Sequence, residues 1–540
     1  MADAPGERAI AGITASDGLV AGPLVADRPA PAADRVAGTA RREGEVLRGA
    51  LERAAGELAD LAGRGDALAA EILEFQVALI EDDDLVGPIL SAVAAGEPAD
   101  AAWRFALDRE IAEYQAGGDE YMAARASDLA DLRDRVLRAI HGGDADGPAA
   151  GGAGGILVAD DLSPSRFLEL DWRRLVGVAL RTGSRNGHAA ILARARGVPM
   201  VVGLGGAAVL PDGAPAILDA EAGRLVLYPG VEAEARLRDG RTRRAALALE
   251  ADGVLERPAV TADGEPVAVL VNVDDPGLLD TLPVARCDGV GLTRTEFLFE
   301  GGALPDEERQ LAAYRRILAW AGGRPVTIRT LDAGGDKPIR GVTDDGESNP
   351  FLGVRGVRLS FTRPALFRAQ LRALARAAAH GPLKVMVPMV TVPSEVERVR
   401  ALLAEVIAGL SADGVAHAVP ELGMMVEVPA AALTAGDFDV DFYSIGSNDL
   451  VQYATACARD NPALIALSDP ANPAVLELIG RTVEAARRRG VEVSLCGDMA
   501  SEPTMVPLLL ERGLRTLSVA PAQIGRVKLA IAAWRRGAAA

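Results

Sequence analysis

Phe442-Tyr-Ser-Ile-Gly-Ser-Asn-Asp449 begins as a mostly apolar, strand-like run and closes on a glycine and polar side chains. A short apolar run bounded in this way reads as a buried strand whose end is free to carry chemistry. It is one of a series: Val267 to Val273, Gly289 to Leu292, Val326 to Thr330, Val354 to Leu359, Lys384 to Met389, Leu422 to Glu427, Phe442 to Ile445 and Val493 to Cys496, with helical segments between them. Eight β/α units in the second half of the chain predict a (β/α)8 TIM barrel. In that fold reactive groups gather where the strands end.

The polar residues follow this rule. Arg294 follows the second run, Arg329 lies on the third, and Arg355 lies within Asn349-Pro-Phe-Leu-Gly-Val-Arg355. Singly, each is compatible with a surface charge or a barrel-stabilising ion pair. Together at one barrel mouth they would form a cradle for a small, multiply charged anion, because guanidinium forks match phosphate and carboxylate oxygens. Lys337 adds a further positive charge. Glu427 and Asp449 close the sixth and seventh runs. Two carboxylates there either neutralise the arginines or, with a phosphorylated ligand present, hold Mg2+. Cys496 closes the eighth run and reads either as a small buried hydrophobe or as a proton donor.

The first half of the chain is built differently. Ile10 to Val25 alternates apolar runs with glycines and predicts strands that pair with later ones. From Asp34 to His141 the pattern turns helical: Leu68, Ile72, Phe75 and Leu79 share one face, as do Leu129, Leu132, Val136 and Ile140. Gly142 to Gly155 is a glycine-rich linker by composition. Ile156 to Tyr228 returns to alternating strands and short helices. The fold expected is therefore multidomain α/β: an α/β domain (1–33 and 142–230) with an inserted helical bundle (34–141), a linker helix (231–255) and the barrel (256–540).

Gly183-Ser-Arg-Asn-Gly-His-Ala-Ala-Ile-Leu-Ala-Arg194 places His188 between a predicted strand and a predicted helix. Glycines at 183 and 187 permit tight or left-handed turns there, and free helix N–H groups favour an anion. A histidine so placed is either a capping residue or a phosphoryl acceptor. Of the four histidines, His141 suits a helix C-terminus, and His380 and His417 lie in connections.

A net charge of −19 argues against a nucleic-acid backbone as partner, since binding one requires clustered Lys and Arg. The three cysteines are widely separated and make no CxxC spacing, so disulfides are not expected. No apolar run reaches the length of a membrane span and Met1 to Arg8 holds no signal-type segment, so a cytoplasmic protein is the expectation.

Gly183 to Arg194, Gly291-Leu-Thr-Arg-Thr-Glu-Phe-Leu298, Asn349-Pro-Phe-Leu-Gly353 and Phe442 to Tyr453 occur in an order that resembles enzyme I of the bacterial sugar phosphotransferase system, the phosphoenolpyruvate (PEP)-protein phosphotransferases. The resemblance runs nearly end to end. It implies that His188 is phosphorylated and carried on a swivelling phosphohistidine α/β domain, that Arg294, Arg329 and Arg459 bind PEP with Asn448 and Asp449, and that Glu427 and Asp449 hold Mg2+. It further implies that Cys496 protonates the enolate, that the helical insertion docks the histidine phosphocarrier protein HPr, and that the barrel dimerises. Where the family often has hydroxyl residues beside the histidine, this chain has Asn186, Gly187, Ala189 and Ala190. Ala458 stands for a common aspartate and Asp498 for a common glutamate.

Overall fold

The computed structural model describes residues 6–27, 35–64, 73, 76–116, 120–142, 154–183, 185, 187–206, 209–299, 304–335, 339, 341–343, 347–458, 464 and 467–537. The chain divides into two compact units, the first running to Arg244 and the second beginning at Ala245.

In the first unit, strands β1 (Arg8–Ala11), β2 (Ile13–Ser16) and β3 (Leu19–Ala26) join β4 (Gly155–Ala159), β5 (Leu175–Leu180), β6 (Met200–Val202), β7 (Pro215–Asp219) and β8 (Arg224–Leu227). The sheet order is β1-β8-β7-β3-β4-β5-β6-β2, with β3, β4, β5 and β6 parallel and the flanks antiparallel. The N-terminal strands thus find the later partners that their short, glycine-punctuated runs require. Helices α1 (Ala40–Arg64), α2 (Asp83–Ala94), α3 (Ala99–Ala116) and α4 (Glu120–His141) lie between β3 and β4 in sequence. Leu129, Leu132, Val136 and Ile140 are all buried in the bundle core, whereas Leu79 is only partly buried. Leu68, Ile72 and Phe75 lie outside the described residues, as does most of the glycine-rich stretch after Gly142. Trp103 is fully buried with its indole N–H donating to the Arg133 carbonyl at 3.2 Å; truncating such a side chain costs ~3–5 kcal/mol.

Two shorter helices complete the α/β body, α5 (Pro164–Glu169) and α6 (His188–Arg196). Helix α7 (Val231–Val254) follows β8; Ala233 and Leu237 near its start pack on Ile217 and Val226, while most of its length is exposed.

The second unit is a closed parallel barrel of β9 (Ala268–Val273), β10 (Val290–Thr293), β11 (Val326–Arg329), β12 (Leu383–Val387), β13 (Glu421–Val426), β14 (Phe442–Gly446), β15 (Glu492–Cys496) and β16 (Thr516–Val519), with β16 pairing back onto β9. Its helices include α8 (Glu307–Ala321), α9 (Val357–Thr362), α10 (Pro364–Ala378), α11 (Pro393–Ala412), α12 (Pro429–Leu433), α13 (Ser447–Thr455) and α14 (Pro473–Arg489).

The expected strand count holds for a partly wrong reason. Val354 to Leu359 is not a strand: Gly356 adopts φ 59° and caps α9, whose Val357 and Leu359 are buried by a helical face. An apolar run that short does not distinguish the two periods. The closing strand is instead Thr516–Val519, so Glu427, Asp449 and Cys496 follow or end the fifth, sixth and seventh strands rather than the sixth, seventh and eighth. Arg355 sits on the connection after the third strand, not on a strand of its own. Among the described residues no helix is long and apolar enough to cross a membrane.

Candidate active site

Parallel register brings the strand ends together. Val426 pairs with Ile445 and Gly446 pairs with Cys496, so Glu427, the segment after Gly446 and Cys496 occupy successive positions around the mouth. The resulting cleft is lined by Arg294, Arg329, Asp332, Arg355, Glu427, Ser447, Asn448, Asp449 and Cys496, with Leu292 and Met425 as its apolar floor. Thus the barrel residues singled out from sequence converge in one place, apart from Arg459, which lies outside the described residues together with Lys337. Three of the lining groups, Asp332, Ser447 and the Gly446 backbone, were not singled out.

Two of the arginines are buried. Arg329 is 4% and Arg355 3% exposed, and each is held by carboxylates. Arg329 donates from Nη2 to Glu296 Oε1 at 2.7 Å and from Nη1 to Asp332 Oδ2 at 2.9 Å. Arg355 donates from Nη2 to Asp332 Oδ2 at 2.9 Å, and from Nη1 to Asp449 Oδ1 at 3.1 Å and Tyr453 Oη at 3.3 Å. Burial works against the charge on both, yet the adjacent carboxylates outweigh it and hold both guanidiniums firmly protonated. Arg294 is more open, pairing with Asp274 at 2.8 Å. Behind Arg329, Thr295 Oγ1 donates to the Arg329 carbonyl at 3.1 Å and accepts from Gln370 Nε2 at 3.3 Å. The fork is therefore set in place before any ligand arrives.

Glu427 is 1% exposed, and its Oε1 accepts from the Met389 N–H at 2.7 Å. Burial first, then repulsion from Asp449 and Asp332, pushes its carboxyl up to about 8. A Cβ on Gly446 would stand 2.8 Å from Glu427 Oε2, so glycine keeps the space beside that oxygen clear. Hard cations such as Mg2+ take one or two carboxylates and complete their shell with water and ligand oxygens. Glu427 and Asp449 fit that requirement: their mutual repulsion is what a cation would relieve. Among the described residues, no cluster of three or more His, Cys, Asp and Glu side chains is preassembled for a metal.

Cys496 is buried, its Sγ donating to the Ile445 carbonyl at 3.5 Å and accepting from Ser444 Oγ at 3.6 Å. Burial raises its thiol above the ordinary range, so the proton stays on sulfur at neutral pH. Gly497, at φ +97°, makes the turn beside it, and Asn448 Oδ1 accepts from the Asp498 N–H at 2.9 Å.

His188 belongs to the first unit. It opens α6 after β5, at the strand-loop-helix junction that the sequence predicts. Gly183 uses the left-handed region (φ +88°), but Gly187 is an extended N-cap at φ −61°, so only one of the two glycines serves that purpose. Ala189, Ala190, Leu192 and Ala193 are buried and fix the helix to the sheet, and Arg194 Nη1 reaches the carbonyls of Ala15 at 2.8 Å and Arg185 at 2.5 Å. Asn186 lies outside the described residues. His188 Nδ1 stands 3.0 Å from Asp128 Oδ1 on α4, a partner not singled out from sequence. As for the remaining histidines, His141 ends α4 as expected, His380 is exposed, and His417 is engaged with Ser411 and Val415.

Comparison with known proteins matches residues 11–125 to the PEP-utilising enzyme N-terminal family model, 151–223 to the PEP-utilising enzyme mobile domain, and 249–536 to the PEP-utilising enzyme PEP-binding domain. The chain is similar to the phosphoenolpyruvate-protein phosphotransferase of Geobacillus stearothermophilus, at 37% identity over 97% of this chain and 93% of that one. The protein of the same name from Haloferax volcanii is 39% identical over 86% of this chain and 82% of its own length. That from Streptomyces coelicolor is 36% identical over 97% and 94%.

Proposed function

From the premise that this chain belongs to the phosphoenolpyruvate-protein phosphotransferase family of PEP-utilising enzymes, we propose that it moves a phosphoryl group from PEP to His188 and on to HPr, the first step of a sugar phosphotransferase system. The observation that carries this reading is the barrel mouth, where preset guanidiniums, two buried carboxylates and a protonated thiol face one cleft.

Arg294, Arg329 and Arg355, with Asn448 and Arg459, would take the carboxylate and phosphate oxygens of PEP. Glu427 and Asp449 would hold Mg2+, which when bound neutralises phosphate charge. The Nε2 lone pair of His188 would attack phosphorus. The N–P bond forms as the P–O bond to the enolate breaks. Fixed arginine charge stabilises the transferred group, since such steps depend on positioning and electrostatics more than on covalent help. The enolate carbon takes its proton from Cys496 Sγ, giving pyruvate, and solvent restores the thiol.

His188 then discharges to HPr on the helical insertion. That two-site traffic requires the histidine body to move, and the glycine-rich composition of 142–155 favours this. Homodimerisation through the barrel and a cytoplasmic location belong to the same reading. The test is labelled PEP with Mg2+, with and without HPr, on wild type and His188→Ala. Label on the mutant removes His188 from the reading, and label accepted only from ATP points to another PEP-utilising chemistry. Acceptance without discharge removes HPr. Cys496→Ser is expected to slow PEP turnover about 10²-fold or more, and full turnover in that variant excludes the proton-donor role.

A further inference from the structure

The residues flanking His188 offer its ring no side-chain hydroxyl or carboxylate: Gly187 precedes it, and Ala189 and Ala190 follow it and are buried. Its described partner comes from 60 residues upstream, Asp128 on α4, at 3.0 Å from Nδ1. The Asp128 side chain is 1% exposed and the His188 ring 26%, so one edge of the ring meets a desolvated carboxylate while the rest opens to solvent.

The helix face that carries Asp128 is anchored to the α/β body. Asp131, one turn on, accepts from Ser163 Oγ and Ser165 Oγ, both at 2.8 Å, and from Gln76 Nε2 at 3.0 Å. Arg135, a further turn on and 2% exposed, donates to Ser165 Oγ at 2.9 Å and pairs with Glu57 and Glu169. Positions 128, 131 and 135 fall on one stripe of a helix. The last two fix the register of α4 against α5, and that register delivers Asp128 to the imidazole. A surface ion pair would not need such support.

We infer that Asp128 is a positioning residue for His188: it holds the ring in the Nδ1–H tautomer, turns Nε2 outward, and opposes the positive charge the ring bears while a phosphoryl group is on Nε2. No proton leaves Nδ1 in either direction of transfer, so the carboxylate remains an acceptor throughout. A carboxylate behind an imidazole fixes tautomer and orientation in this way in other enzymes, and loss of such partners commonly costs about 10- to 100-fold. Because Asp128 belongs to the helical insertion, the contact serves the exchange that takes place on that side, the discharge to HPr. The inference rests on His188 being the phosphoryl carrier.

The experiment uses the full chain labelled with 15N-histidine, whose four imidazoles are few enough to assign with His188→Ala. In wild type the long-range 1H–15N pattern of His188 should show a protonated Nδ1 and a bare Nε2. Asp128→Ala should lose that pattern in favour of a tautomer mixture. Charged to completion with labelled PEP, it should then discharge to HPr about 10- to 100-fold more slowly. Asp128→Asn, whose amide oxygen still accepts from Nδ1–H, should keep the tautomer and lose less rate, which a merely structural role would not produce. An unchanged tautomer in Asp128→Ala, or discharge at the wild-type rate, overturns the inference. A wild-type chain that never takes label from PEP defeats the preceding functional reading instead, and the tautomer comparison still decides whether Asp128 orients the ring.

Discussion

Asp332 is the hinge of charge in the barrel mouth, and its removal has a calculable consequence. It is 3% exposed and accepts from both buried arginines at 2.9 Å. At an effective dielectric near 20, each such contact is worth ~5–6 kcal/mol of gross attraction, and the dehydration of a buried carboxylate offsets much of it. Removing one partner from a buried pair costs ~3–5 kcal/mol net. Arg329 keeps Glu296 and Arg355 keeps Asp449, which places Asp332→Ala near the lower end, about 3 kcal/mol. For a domain of this size that shifts the barrel melting transition down by about 6–12 °C, measured by calorimetry on the full chain. Asp332→Asn, which keeps the shape but not the charge, should lose about half as much. Because the two forks would no longer be held at their angle, kcat/KM for PEP should fall about 10²-fold. A barrel transition within about 1 °C of wild type, with kcat/KM intact, would refute the view that Asp332 sets both guanidiniums.

Three other outcomes follow from named contacts. Gly497→Ala puts a Cβ 2.3 Å from Ser447 Oγ and 2.7 Å from Asn448 Oδ1 at a φ of +97°, so a loss of about 1–3 kcal/mol and a raised KM for PEP are expected; unchanged steady-state kinetics would show that Asn448 is not held from this side. Glu43 is held at about 2, chiefly by Arg35 with the Ala99 and Gly38 N–H groups, against an ordinary 4.5. A depressed carboxyl contributes stability that is complete above 4.5 and is lost as pH falls toward 2, so the helical bundle should weaken across that window by up to about 3 kcal/mol. Amide exchange at Ala99 and Gly38 as a function of pH reads this directly, and Glu43→Gln should flatten the profile. Finally, EDTA should stop labelling from PEP, with Mg2+ restoring it in wild type but not in Glu427→Gln; labelling undiminished in EDTA would remove the metal from the mechanism.

What was legible in the sequence was what local pattern and strand-end chemistry encode. Glu427 and Cys496 could be read because each closes a visible apolar run, and Arg294 and Arg329 because each sits at the end of one. Val354 to Leu359 failed because valine and leucine three to five residues apart suit a strand or a helix turn, and only Gly356 at φ 59° decides between them. Thr516-Leu-Ser-Val519 was overlooked because a four-residue strand with two polar members has little periodic signal of its own, although closure of the barrel demands it. Asp332 had a signal that local reading passed over: a carboxylate three residues beyond a strand-end arginine, before the turn glycines 334 and 335.

Asp128 was hidden for a different reason, which lies in how the inserted helices pack. Reading α4 by its apolar stripe of Leu129, Leu132, Val136 and Ile140 treats the residue before each as solvent-facing. Asp128, Asp131 and Arg135 occupy those places, yet all three are buried, because the α/β body, with Ser163, Ser165 and His188, lies against that side of the helix. A bundle inserted between β3 and β4 must cover one face with its own core and another with its host. The second face can include charge only if every charge has a partner, and the carboxylates, guanidinium and serine hydroxyls of this seam meet that condition. Gly187, Ala189 and Ala190, the immediate flanks of His188, carry no polar side chain to orient the ring, and the described partner of its Nδ1 comes from tertiary structure. The helical insertion supplies that partner, which makes α4 a wall of the pocket around His188 as well as a member of the bundle.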